Sequence, residues 1–393
     1  MRRSVAFQGV RVVKLASVVA RCVAGEMSLS AGAAALCVDA RTFRRWRRRH
    51  AAHGAAGLLD RRLGKASPRR VPAARADEVE ALYRERYAGF TARHFHEHLA
   101  ADHGFALSYS WTKGLLQSRG LLARAKRRGA HRRKRPRRAL FGEMLHQDGS
   151  RHVWLDGHPA LDLIVTMDDA TSAILSAFLV VEEGTASTLR ALTEVFTGHG
   201  LPMSLYTDRG SHYFHTPEAG GKVDRVHLTQ VGRALDELGI GHIAAYSAQA
   251  RGRSERLFGT LQDRLIKEMR LSGIGTIAAA DAFLRDVYIP RHNARFAVKA
   301  EREGLAFVTV AGVDLAEILC VHEERRVGND NCVTFERLKL QIPPSPTRAH
   351  FVKAKVEVHL YPDGRHAVFH GPTCLGRYDH EGRPEPTAPS RAA

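Results

Sequence analysis

Residues 140–298 carry the pattern that most restricts how this chain can fold. EMLHQDGSRHVWL and LDLIVTMDDATSAILSAFLVV read as three β-rich runs, the last two parted by the turn chemistry of Asp168-Asp169-Ala170-Thr171-Ser172. TASTLRALTEVFTGHG then reads as a helix ending at Gly198 or Gly200, and MSLYTD as a strand. TQVGRALDELGI is a helix stopped at Gly239, HIAAYS a strand, and RGRSERLFGTLQDRLIKEM and IAAADAFLRDVYIPRHNARF two further helices. The order β-β-β-α-β-α-β-α predicts a mixed α/β layer and not a doubly wound sheet. Neither GxGxxG nor GxxxxGK[ST] occurs, so nothing supports a nucleotide cofactor.

Charge separates this region from what precedes it. Residues 1–139 hold 32 Lys/Arg against 9 Asp/Glu, whereas the remainder holds 28 against 32. A strongly basic front end on a near-neutral body is the footprint of nucleic-acid binding, although an arginine-rich solvated surface has the same composition. Within SLSAGAAALCVDARTFRRWRRRH, Ala33, Ala34 and Leu36 suit a short helix and Cys37-Val38 a turn. Asp39 suits an N-cap, leading into a second helix through Phe43 and Trp46. That is a helix-turn-helix pattern with Cys37 where glycine is preferred, and Arg44, Arg45, Arg47 and Arg48 are its candidate DNA contacts.

The expected division is a helix-turn-helix domain over 1–66, ending in the linker-like GAAGLLDRRLGKASPRR, and a second small helical domain of helix-turn-helix type over 67–125. Ser108 caps the recognition-type helix of the latter. A basic linker follows over 126–139, in which Arg132, Arg133, Lys134 and Arg135 would meet phosphates and no aromatic is present to stack on bases. The mixed layer occupies 140–298, a small β-barrel 299–380, and a Pro/Ala/Arg-rich tail 381–393 that composition marks as disordered.

Five scattered cysteines without CxxC speak for a reducing cytoplasm and against a disulfide scaffold or a zinc finger. Arg11, Lys14 and Arg21 break the N-terminal apolar runs before signal-peptide length, and no stretch suits a membrane span.

Three acids stand out by position. Asp148 lies in the first strand, Asp208 ends the later strand of LYTDRGSHYF, and Glu255 opens a long helix at the edge of its Leu257, Phe258, Leu261, Leu265, Met269 stripe. Singly each has a plain structural use, the aspartates in turns and the glutamate at a helix N-terminus. Together they would repel one another unless a hard divalent cation joined them, and Mg²⁺ prefers such oxygen donors. Asp168 and Asp169 also end an apolar strand but read as hairpin residues. Arg251 and Arg253 are placed to hold DNA phosphates, while His146 and His212 could orient water or phosphate or merely pack.

These segments together resemble the bacterial insertion-sequence transposases of the ISNCY group, with a retroviral-integrase-type DDE core. The resemblance rests on GAAGLLDRRLGKAS, FGEMLHQDGSRHVWLDG, TMDDATS, SLYTDRGSHYF, TQVGRALDELGI and AYSAQARGRSERLFGTLQDRL, in that order. It implies an RNase H-like catalytic core with a mixed five-stranded sheet, and Asp148, Asp208 and Glu255 as catalytic metal ligands. It also implies two Mg²⁺ ions, for which Mn²⁺ would substitute, and 3′-end cleavage and strand transfer of double-stranded DNA. The protein would work as a dimer or higher multimer on transposon ends and target DNA, in the bacterial cytoplasm at the nucleoid. The 47 positions between Asp208 and Glu255 exceed the integrase interval, and FHTPEAGGKVDRVH reads as the insertion responsible. The integrase zinc module is absent. A catalytically silent DNA-binding regulator and a stand-alone RNase H-type nuclease are the alternatives.

Overall fold

The structure, a computed structural model, describes residues 5–60, 70–123, 136–218, 221–246, 252–345 and 348–385. The chain divides into two compact units, 1–81 and 82–393.

In the first unit, α1 (Val5–Val23), α2 (Leu29–Ala35) and α3 (Ala40–His53) bury Val19, Ala33 and Phe43 together. The Ser28 hydroxyl accepts from the Ala31 amide at 3.1 Å and the Asp39 carboxylate from the Thr42 amide at 2.7 Å, so side chains meet donors that helix starts leave open. Between them Cys37 takes a left-handed φ of 52°, the conformation that favours glycine. Helix α1 was not read from the sequence, because the basic residues that break an apolar run still suit an amphipathic helix. Of the glycine-rich stretch read as a linker, residues 61–69 lie outside the described residues, and its start is helical. Gly54–Leu58 forms a 3₁₀ turn that buries Leu58, and the Arg49 carbonyl sits where a side chain on Gly57 would stand.

Helix α4 (Ala73–Arg86) crosses the boundary between units. Beyond it, α5 (Ala92–Ala101) and α6 (Tyr109–Ser118) are capped by Thr91 and Ser108. Tyr83, Tyr87, Phe90 and Phe95 pack there with ring centroids 5.0–5.2 Å apart.

The central sheet contains β1 (Leu145–His152), β2 (Leu161–Asp168), β3 (Ile174–Val180), β4 (Ser204–Thr207) and β5 (Gly241–Ala244), ordered β3-β2-β1-β4-β5. Only β2 runs against the rest. This is the mixed α/β layer that the element order predicted, with the five strands that the resemblance implied. On one face α7 (Thr185–His199) and α8 (Gln230–Glu237) cover Leu145 and Leu205. On the other, α9 (Ser254–Leu271) sets Phe258, Leu261, Leu265 and Met269 against Leu163, Val165, Ile174 and Leu179. Next come α10 (Ile277–Phe283), a π-turn (Leu284–Tyr288) and α11 (Ile289–Phe296). The wide turn lies just before Pro290, which has no amide hydrogen to donate to a helical ladder.

After α12 (Leu315–Ile318) come β6 (Val321–Arg326), β7 (Cys332–Phe335), β8 (Leu338–Gln341), β9 (Lys355–Leu360), β10 (His366–His370) and β11 (Thr373–Tyr378). Glu336 and Arg337 both adopt left-handed φ values, as a two-residue hairpin between β7 and β8 requires. A barrel was expected here. Among the described residues the ladders instead form an open sheet, β11-β10-β9-β6, and a separate β7-β8 ribbon around one shared core.

Candidate functional site

The parallel register of β1 and β4 brings two of the expected acids together. Leu145 pairs with Leu205 and His146 with Tyr206, an offset of 60 that sets Asp148 opposite Asp208, just past the last residue of β4. Adjacent strands lie about 4.8 Å apart and paired positions share a face. Leu145 and Leu205 point to the α7–α8 side, whereas the rings of His146 and Tyr206 meet at 4.9 Å on the other. By the two-residue period Asp148 and Asp208 stand on the His146 side, which α9 covers. Asp148 is buried, and Asp208 is half-buried and also accepts the Gly210 amide at 2.8 Å, so it shapes its own turn.

Contacts along α9 bracket the third acid. Near its middle, Gln262 donates to the Ser150 hydroxyl at 3.3 Å. At its start, Arg253 pairs with Asp169, which also bonds His146 at 2.7 Å. The helix start therefore lies beside His146 and its middle beside Ser150, with Asp148 between them on β1. Glu255 is in the first turn, two helical turns before Gln262 and so on the same side of the helix, and it is exposed.

A fourth carboxylate, Glu183, was not found from the sequence. It lies against Gly149, where its oxygens occupy the space a side chain would need. A glycine inside a strand often marks such a close approach, and that was the available signal. The Glu183 carboxylate accepts from the Tyr213 hydroxyl at 3.5 Å and stands 3.6 Å from the His212 ring. Both His212 and the Asp208 carboxylate flank Gly210. Burial pushes the Tyr213 hydroxyl well above its usual pKa, and the charges of Glu183, Asp208 and Asp148 add to the shift. Tyr213 is thus a neutral donor to Glu183.

The other expected residues separate into groups. Asp168 accepts from the Gly142 amide at 3.0 Å and from the amide and hydroxyl of Thr171 at 2.7 Å each, and closes the β2–β3 turn. Burial acts to raise the pKa of Asp169, but His146, the Arg138 amide and Arg253 hold it well below the usual carboxylate range. Arg253 has a structural partner that the sequence did not show: its guanidinium pairs with Asp169 and donates to the Pro136 carbonyl, 2.7 Å away, with 9% of the side chain exposed. His146 is likewise packed, at 2% exposure. In the first unit Arg44, Arg45 and Arg48 are exposed and Arg47 is half-buried. Arg132, Arg133, Lys134, Arg135 and Arg251 lie outside the described residues. The segment after β4 packs inward in part, with the Phe214 ring stacked on His242 at 4.0 Å.

A relative from Sinorhizobium fredii (strain NBRC 101917 / NGR234), named "Putative transposase y4bF", is 34% identical over 352 residues, covering 88% of this chain and 76% of the relative. This chain belongs to the insertion-sequence transposases. The transposase for insertion sequence IS1202 of Streptococcus pneumoniae is 33% identical over 167 residues, 42% of this chain and 36% of that protein. No protein-family model matches. Among solved structures, a simian T-cell lymphotropic virus intasome in complex with PP2A regulatory subunit B56 gamma aligns with 74% of this transposase and 91% of its own chain. The identity is 12% and the TM-score 0.32. The HTLV-2 integrase catalytic core in complex with magnesium, in a dimeric form, aligns with 38% and 91%, at 19% identity and a TM-score of 0.27. Likeness of that size carries no weight for fold or function, and the sheet is characterised by its own strand order and register. No helix among the described residues is long and apolar enough to cross a membrane.

Proposed function

We propose that this transposase cuts the 3′ ends of its element and joins them to target DNA at Asp148, Asp208 and Glu255. The reading rests on one observation above all, the parallel pairing of β1 with β4 at an offset of 60, which carried on past its last pair would bring Asp148 opposite Asp208. The donors are hard oxygens, and their charge bears on a buried, neutral Tyr213 hydroxyl. That chemistry suits Mg²⁺, with Mn²⁺ as a substitute. Asp148 and Asp208 would hold the ion or ions from the sheet, and Glu255 from the exposed first turn of α9. When bound, Mg²⁺ supplies Lewis acidity and a more acidic water for phosphodiester displacement, and a pair of ions can serve the entering and leaving oxygens.

In the first reaction a water oxygen attacks phosphorus at the element end, and the 3′ oxygen leaves as a free hydroxyl. In the second that 3′-hydroxyl attacks a target phosphodiester and displaces the target's own 3′ oxygen. Tyr213 keeps its proton and orients Glu183, which with His212 supports the Asp208 turn. The exposed Arg44, Arg45 and Arg48 of α3, with the basic residues around them, would bind terminal-repeat DNA, and two ends would be paired by a dimer or larger multimer. The α2–α3 pair would act as the helix-turn-helix unit.

Incubating the full chain with a labelled terminal-repeat duplex, target plasmid and Mg²⁺ should give 3′-nicked and joined products. Asp208→Asn should abolish both while retaining DNA binding. Removing a group that holds the reacting centre typically lowers rates by ~10²–10³-fold or more, whereas a purely turn-forming role for Asp208 would leave them within ~10-fold of the parent. If the parent binds the duplex but neither cuts nor joins it, it is a DNA-binding regulator and the catalytic reading fails.

A further inference from the structure

The sequence HFHEHLAAD, on α5, has no part in the chemistry above. Its histidines His94 and His98 are spaced four apart and so share one face of the helix. That face meets Glu268 of α9. Glu268 Oε1 lies 2.6 Å from His94 Nε2 and 3.0 Å from His98 Nε2, and the three ligand atoms are all within 4.8 Å of one another. Two imidazoles and a carboxylate from two helices are a common donor set for zinc. In a tetrahedral site with bonds of about 2.0 Å such atoms stand roughly 3.3 Å apart, so the two N···O separations of 2.6 and 3.0 Å would open by well under 1 Å each.

Two independent features point the same way. The far nitrogen of His98, Nδ1, is fixed by Asp102 Oδ2 at 2.6 Å, which is the outer hydrogen bond that orients metal-bound histidines and sets their tautomer. The ligand atoms also border a cavity of about 400 Å³, lined in addition by Tyr288 and His292. Both are more than nine-tenths buried, and neither the Tyr288 hydroxyl nor His292 Nδ1 has a hydrogen-bond partner among the described residues. A cation at the mouth of this cavity would have room for water as its remaining ligand.

We propose that His94, His98 and Glu268 bind a first-row divalent cation, Zn²⁺ in particular, and that the ion bolts α5 to the helix carrying Glu255. Imidazole nitrogen favours Zn²⁺ over Mg²⁺, so this site and the paired aspartates take different ions. On binding, His98 keeps its Nδ1 proton on Asp102 and sheds any Nε2 proton to solvent, and His94 moves its single proton to Nδ1.

The test uses the full chain, stripped with a chelator and returned to buffer with millimolar Mg²⁺ so that hard-oxygen sites are filled. Zn²⁺ titration by calorimetry, with metal analysis after gel filtration, should show one Zn²⁺ per chain and a raised melting temperature. His94→Gln and Glu268→Gln should lose that uptake. Asp102→Asn leaves all three ligands in place and keeps the fold, and should weaken binding ~10–100-fold, the usual effect of losing an outer hydrogen bond. Asp148→Asn should bind as the parent does. The proposal is overturned if the parent takes up no stoichiometric Zn²⁺, or if Glu268→Gln and Asp102→Asn both bind it as tightly as the parent.

Discussion

Arg253→Ala separates the two roles that Arg253 can have. In the structure its guanidinium is paired with Asp169 and donates to the Pro136 carbonyl at 2.7 Å, with 9% of its side chain and 1% of that of Asp169 exposed. Removing one partner of a buried pair leaves the other charge uncompensated, typically at 3–5 kcal/mol. Asp169 keeps two hydrogen bonds, from His146 Nε2 and from the Arg138 amide, each 2.7 Å long. Those bonds place the loss at the low end, about 3 kcal/mol, and at 2–4 °C per kcal/mol a melting temperature lower by roughly 6–12 °C. The assay is calorimetric melting of the full chain beside Asp169→Asn and the double variant, where shared partners should make the effects clearly non-additive. DNA affinity is followed in parallel as a function of salt. A phosphate contact gives the opposite signature, a salt slope shallower by ~0.9 with melting within about 1 °C of the parent. That outcome would refute the structural role.

Three more expectations are simpler. Cys37→Gly should raise the stability of the first unit by about 0.5–1 kcal/mol, seen in its urea midpoint, because the left-handed backbone at Cys37 costs a side chain more than glycine's added chain entropy. Replacing the exposed Arg44, Arg45 and Arg48 of α3 together by alanine should reduce the slope of log affinity against log salt by up to ~2.7, one phosphate each, without altering the melting of residues 82–393. Burial lowers the pKa of His242 to about 4, and its Nε2 lies 3.0 Å from the Thr207 hydroxyl. The unfolded chain thus binds the proton first, so stability should fall as pH drops from about 6.5 towards 4, and His242→Gln should flatten that part of the curve.

Much of this was legible because local chemistry and fold agree. Asp39 and Ser108 cap helices where acceptor side chains precede apolar periodicity, and Gly239 ends α8 at a φ of 67°. The strand order was not legible. Nothing in MSLYTD says that it pairs with LHQDG in place of LDLIV, and only the parallel pairing gives the spacing of 60 residues between Asp148 and Asp208 a structural meaning. Arginine density could not show the tie made by Arg253, since its partner Asp169 lies 84 positions away. Glu183 was hidden for a related reason. Its importance comes from a gap at Gly149, and a missing side chain shows what fills it only in three dimensions.

The three acids are held by different means, and this bears on how the site can fail. Asp148 is fixed by its pairing with Val165 inside the sheet, where a one-residue slip would move the whole apolar pattern of β1 to the wrong face, and Asp208 by the turn that directly follows β4. Glu255 is fixed only by how α9 lies. That helix is tied at its start by Arg253 to Asp169, in its middle by Gln262 to Ser150, and towards its end by Glu268 to His94 and His98. The ties at the two ends involve buried charge or a buried histidine, while Glu255 itself is exposed and free of the packing that locks Phe258 and Leu261. Catalysis depends on reacting groups held to within about an ångström. If Glu255 acts as proposed, disturbance of α9 at a remote tie should therefore reach the chemistry through Glu255 first and leave the register of β1 with β4 unchanged.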